Sequence, residues 1–113
     1  MLPRKLRVHK DEFGEVLKKG LSFHSAHISL RGIKKDDVSP SKFSVVVSKK
    51  VAMLAVDRNL LRRRAIAVIE AHVAGMKKGI SAIFSFKTGA PDLSSGQIKA
   101  EIITLLKQSG LVS

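Results

Sequence analysis

The apolar residues of this chain change period repeatedly along its 113 positions, and that switching restricts the fold more than any other feature. Asp11 and Glu12 suit the first turn of a helix, where the macrodipole favours acids. Phe13, Val16 and Leu17 follow at i, i+3 and i+4, and Gly20 provides a stop, so the spacing predicts a helix over 10–19. Residues 22–33 alternate instead. Ala26, Ile28 and Leu30 share one face, and Ser25, His27, Ser29 and Arg31 the other, which predicts one half-buried strand. A charged loop ending at Pro40 leads to Phe43, Val45 and Val47, alternating with Ser44, Val46 and Ser48. That second strand is expected to form a hairpin with the first, because the linker is short. The helical period returns over 52–74, where Leu54, Leu61, Ala65, Val68, Ile69 and His72 fall on one arc. Gly75 and Gly79 end this helix. Ile80, Ala82, Phe84 and Phe86 mark a third strand. After a loop holding Pro91, Ser94 and Gln97 form a capping box for a last helix, which carries Ile98, Ile102, Leu105 and Leu106 and closes at Gly110.

The expected order is α-β-β-α-β-α, an α+β fold with one central mixed sheet packed on helices. A length of 113 residues fits a single domain, 1–113, preceded within it by a basic arm over 1–8. With 44% hydrophobic residues the chain can bury a core, and zero Cys excludes disulfides, thiolate metal sites and a Cys nucleophile. The longest clean apolar run, Val51–Val56, is far too short to span a membrane. No apolar segment follows the basic start as a signal peptide requires, so a cytoplasmic protein without a membrane partner is expected.

The formal net charge is +12, from 21 Lys and Arg against 9 Asp and Glu, and it is unevenly placed. Arg4, Lys5, Arg7 and Lys10 lie in the arm. Lys49, Lys50, Arg58, Arg62, Arg63 and Arg64 crowd one segment with a single acid, Asp57, whereas 21–30 carries no formal charge. Such clustering is the footprint of a polyanion. Five Phe with no Trp or Tyr are too few for a stacking platform, so electrostatics and shape should carry most of the affinity. Protein-borne catalysis finds little support. No phosphate-binding glycine loop or nucleophile elbow occurs, and the pairs Asp11-Glu12 and Asp36-Asp37 suit a helix start and a loop. His24 and His27, if on a strand, point to opposite faces, so no metal site is expected.

One segment is more specific. Ser48-Lys49-Lys50 at a strand end is followed by Ala55, Val56, Arg58, Asn59, Leu61, Arg62 and Arg63 on the long helix. With Leu2-Pro3-Arg4-Lys5, Arg7, Asp11-Glu12-Phe13 and Lys18-Lys19-Gly20 at the start, this pattern resembles the protein component of bacterial ribonuclease P. The element order agrees along nearly the whole chain. Two positions depart: Leu60 stands where the family pattern has the second arginine of R-N-R, and Leu17 where many relatives carry a second aromatic. Independently of the family, Arg58 and Arg62 are i, i+4 neighbours, as are Asn59 and Arg63. Guanidinium groups bind phosphate bidentately and stack on unpaired bases. Asn59 can read a base edge or fix an arginine rotamer.

The resemblance implies a protein subunit that assists removal of the 5′ leader from precursor tRNA, the RNA subunit performing the hydrolysis with Mg²⁺. It implies that Arg58, Asn59, Arg62 and Arg63, with Lys49 and Lys50 beside them, contact the catalytic RNA, and that Arg4, Lys5 and Arg7 lie on RNA. A leader cleft between the first helix and the sheet would use Phe13, Leu17 and Ser48. Phe13 fits the inner face of its own helix equally well. The family fold also implies a left-handed βαβ crossover, against the usual right-handed rule, and a protein that is monomeric outside the holoenzyme. The alternative is a non-enzymatic basic RNA-binding module such as a ribosomal protein.

Overall fold

The computed structural model describes residue 8 and residues 10–34, 41–72, 78–87 and 94–110. The arm residues Arg4, Lys5 and Arg7, the pair Asp36-Asp37, Gly75 and Pro91 lie outside the described residues. In chain order the elements are α1 (Lys10–Lys19), β1 (Leu21–His24), β2 (Ile28–Lys34), β3 (Lys42–Val46), α2 (Ala55–His72), β4 (Ile80–Phe86) and α3 (Ser95–Ser109).

The fold class is the expected one, three helices on a four-stranded mixed sheet, with two differences in how the strands arise. The segment 22–33, expected as one strand, is two. β1 and β2 pair antiparallel, Leu21 opposite Gly32 and His24 opposite Ser29. The expected hairpin between β2 and β3 does not form. The sheet order is β1-β2-β4-β3, so β4 inserts between them. It runs antiparallel to β2 and parallel to β3, with Leu30 and Val45 both beside Phe84. β3, α2 and β4 therefore form a βαβ unit.

The turn that divides β1 from β2 is held from afar. Ser25 N–H donates to the Ile28 carbonyl at 2.9 Å, closing the turn locally. Glu101 of α3 accepts from the Ser25 hydroxyl, from the His27 backbone N–H at 2.7 Å and from His27 Nδ1 at 2.8 Å. Lys87, just past β4, donates its backbone N–H to the His27 carbonyl at 2.8 Å and its ammonium to the Ser25 carbonyl at 2.9 Å. Burial alone would raise the Glu101 pKa. The Ser25 hydroxyl, the His27 N–H and the His27 ring outweigh it and hold the carboxyl below its ordinary value.

One sheet face meets α2 and α3. Ile28, Leu30, Phe43, Val45, Ala82, Phe84 and Phe86 pack there with Leu61, Ala65 and Ile69 of α2 and Ile98, Ile102, Leu105 and Leu106 of α3. Leu54, expected on the buried arc of α2, instead precedes the helix and is exposed. His72 turns its Nδ1 to the Val68 carbonyl at 2.8 Å. α3 has both expected ends: Ser94 and Gln97 form the reciprocal capping box, and Gly110 adopts φ 78° with its N–H on the Lys107 carbonyl.

α1 crosses the other face, touching β2 and β4. Val16 and Ile83 are buried yet outside the main core, and alternation puts Ile83 on the face that α1 covers. α1 stops at Gly20 because space demands it. A Cβ there would lie 2.4 Å from the Val16 carbonyl oxygen, 2.7 Å from Arg31 Cγ and 3.2 Å from the Gly32 nitrogen. Arg31 then joins three elements, donating from Nε to Ser22 Oγ at 2.9 Å and from Nη1 to the Leu17 carbonyl.

Candidate nucleic-acid interface

The route from β3 into α2 builds one side of the site. Val47, Val51 and Ala52 are buried, and the Ser48 carbonyl accepts the N–H groups of Val51 at 3.0 Å and Ala52 at 3.3 Å. This tight turn leaves Ser48, Lys49 and Lys50 exposed at its tip. α2 then begins without a polar capping side chain. The Leu54 carbonyl accepts from Asp57 and Arg58, each at 3.1 Å.

Arg58 braces the entry to α2 in another way. Its Nη1 donates to the Ala52 carbonyl at 2.9 Å and to the Met53 carbonyl at 2.7 Å, tying the turn to the helix. The helical wheel explains this inward role: Arg58 sits about 60° from Leu61, between Ala65 at about 40° and Ile69 at about 80°. It is accordingly half-buried. Of the two roles open to Asn59, the structure has the second, since Arg62 Nη1 donates to Asn59 Oδ1 at 2.7 Å and the Arg62 rotamer is fixed. Arg63 is exposed. Asn59, Arg62, Arg63, Ile66, Ala67 and Glu70 line a groove of about 660 Å³. They recur at i, i+3, i+4, i+7, i+8 and i+11, a stripe centred roughly 130° from the buried one. Exposed Arg63 lies about 160° from the centre of the buried stripe, whereas half-buried Arg62 lies about 60° from it and Ile66 packs against the core, so the groove runs from the edge of the core contact out to solvent.

A second concavity, about 240 Å³, lies where α1 meets the sheet and is lined by Leu17, Ser22, His24, Ser29, Arg31 and Ser85. Of the three leader candidates only Leu17, 40% exposed, lines it. Phe13 is half-buried and is not among its lining residues. Ser48 is displaced from the expected wall because β3 ends at Val46. Ser81, which alternation puts on the same side of β4 as Ser85, is buried, and Ile83 makes part of that face apolar. Ser22, His24 and Arg31 are the additions. Arg31 and Ser29 were legible as the polar side of an alternating segment, whereas Ser22 and His24 reach the site through the unforeseen hairpin. Among the described residues no group of three or more His, Asp or Glu could hold a metal ion, and no helix is long and apolar enough to cross a membrane.

A family model described as Ribonuclease P matches residues 2–110. The chain belongs to the ribonuclease P protein family. It is 29% identical over 107 residues to the ribonuclease P protein component of Microcystis aeruginosa, covering 92% of this chain and 89% of that protein. To the ribonuclease P protein component of a Pseudanabaena species it is 30% identical over 91 residues, covering 80% and 78%. The RNase P protein of Staphylococcus aureus superposes with a TM-score of 0.86 at 21% identity, covering 96% of this chain and 98% of that one. That of Thermotoga maritima gives 0.79 at 19% identity, covering 90% and 96%. At these identities the superpositions establish a shared fold, including the mixed sheet and its helices. Membership places the chain among protein components of a ribonucleoprotein that processes tRNA, with an RNA subunit as partner.

Proposed function

We propose that this chain is the protein subunit of ribonuclease P, holding the catalytic RNA on α2 and the 5′ leader of precursor tRNA in the cleft beside α1. The observation that carries the reading is the groove on α2 that holds Arg62 and Arg63, preceded in the chain by a turn that exposes Lys49 and Lys50, in a chain of this family. Arg62 and Arg63 present guanidinium groups to RNA phosphates, and Asn59 Oδ1 holds the Arg62 guanidinium in place for that role. Arg58 acts one step back by fixing the turn that carries Lys49 and Lys50. In the cleft, Arg31, His24 and the serines offer donors to an extended backbone, with Leu17 as the apolar wall and Phe13 one turn earlier on α1. The arm residues Arg4, Lys5 and Arg7 add non-specific attraction. Mg²⁺ bound by the RNA subunit supplies the activated water and charge neutralisation for phosphodiester hydrolysis. The free protein is a cytoplasmic monomer in this reading.

Reconstitution tests it. Cognate catalytic RNA, precursor tRNA and the protein are mixed at low Mg²⁺, and 5′ cleavage is followed. Stimulated cleavage is expected. Binding without stimulation would reassign the chain to a non-catalytic RNA-binding role. Arg62→Ala with Arg63→Ala should leave the fold intact and flatten the log–log salt dependence of RNA binding by roughly 0.7–0.9 for each phosphate no longer neutralised. An unchanged slope would remove α2 from the interface.

A further inference from the structure

Four large apolar side chains are exposed around the entry to α2: Met53 at 87%, Leu54 at 63%, Val56 at 64% and Leu60 at 39%. Val56 and Leu60 are i, i+4 and lie on one side of the helix, and Met53 and Leu54 immediately precede it. On the wheel Leu60 is about 100° from Leu61 and about 60° from Arg63, so the patch turns away from the core and borders the cationic stripe. Lys49 and Lys50 are exposed in the turn that leads to it. Scattered single apolar residues are ordinary on a surface, but Val56 and Leu60, one turn apart on the same exposed side of a helix and bordered by cations, make a binding surface.

The charge around the patch selects the occupant. With a formal net charge of +12 and a rim of Lys49, Lys50 and Arg63, a second copy of the chain is repelled and a polyanion is attracted. Phosphates do not bury against aliphatic side chains. The apolar part of a nucleic acid is the face of a base, and it is accessible where the base is unpaired. We propose that Val56 and Leu60, with Met53 at the entry to the helix, form a seat for the face of an unpaired nucleobase of the RNA subunit, with Lys49, Lys50 and Arg63 holding the flanking phosphates. The inference rests on the functional reading above.

The experiment measures binding of cognate catalytic RNA to the full chain across a potassium chloride series, with chemical footprinting of the RNA bases. Leu60→Ser and Val56→Ser are each expected to weaken binding roughly threefold to tenfold, because less apolar area leaves water on association, with the salt slope unchanged. Leu60→Ser should also expose one base that the wild type protects. Leu60→Arg should bind no tighter than wild type and leave the slope where it was. All these positions are exposed, and circular dichroism verifies the fold. Three outcomes overturn the inference: serine variants that bind like wild type, a Leu60→Arg variant that binds tighter with a slope steeper by roughly 0.7–0.9, or sedimentation showing a wild-type dimer that Leu60→Arg dissolves. A wild type that fails to bind the RNA overturns the functional reading itself, and Arg62→Ala with Arg63→Ala serves as the control that separates the two failures.

Discussion

Replacing Glu101 by Gln tests how the β1–β2 turn is held. The carboxylate accepts three hydrogen bonds, from the Ser25 hydroxyl, the His27 N–H at 2.7 Å and His27 Nδ1 at 2.8 Å, and its side chain is 15% exposed. A hydrogen bond to a charged group is worth roughly 1.5–3 kcal/mol, against about 0.5–1.5 for a neutral pair. Gln keeps one acceptor oxygen and loses the charge, so about 2 kcal/mol of stability should disappear at pH 7 after allowing for partial exposure. The pH dependence follows from the lowered carboxyl pKa. The stabilisation is fully present above the ordinary value of 4.5 and is lost as pH falls through the folded-state value below it. Urea unfolding of both proteins, from neutral pH downward, should show a gap that is constant above about pH 5 and closes in acid. A gap that stays constant into acid, or two proteins equally stable at neutral pH, would refute the view that the charged carboxylate clamps the turn.

Gly20→Ala should cost about 2–3 kcal/mol, because the new methyl meets a backbone carbonyl rather than a movable side-chain end. Gly96→Ala, whose Cβ meets only Ser94 Oγ at 3.9 Å, should be neutral or stabilising by up to about 1 kcal/mol; equal losses in urea melts would dismiss the steric argument. Arg58→Ala should destabilise by about 1–2 kcal/mol through the carbonyls of Ala52 and Met53, with Arg58→Lys recovering part. Arg63→Ala should change stability by less than about 0.5 kcal/mol. Identical unfolding midpoints for the alanine variants at 58 and 63 would contradict that division of labour.

Particular residues show what the sequence disclosed. The three helices, the core faces and the caps of α3 follow from local spacing, and local spacing suffices because helices and strand parity are decided within a few residues. The hairpin between β1 and β2 was hidden. Ser25-Ala26-His27 contains no Gly, Pro or Asn, and the groups that hold it, Lys87 and Glu101, are about sixty to seventy-five positions away. The insertion of β4 between β2 and β3 is likewise long-range, so sequence adjacency favoured the wrong pairing. On α2 the basic cluster was plain, but charge alone does not separate Arg58, turned to its own backbone, from Arg63, turned to solvent. The cleft was half legible, since alternation identified Ser29 and Arg31 while Ser22 and His24 needed the hairpin.

Because α2 is the crossover between two adjacent parallel strands, the cationic stripe is carried between the edge strand β3 and the inner strand β4. It cannot swing out without pulling Leu61, Ala65 and Ile69 from the core and disturbing β4, an inner strand with partners on both sides. A partner docking there meets a surface already in its final shape, so little ordering entropy opposes association. The chain has placed its most adaptable chemistry, long cationic side chains, on its least adaptable backbone.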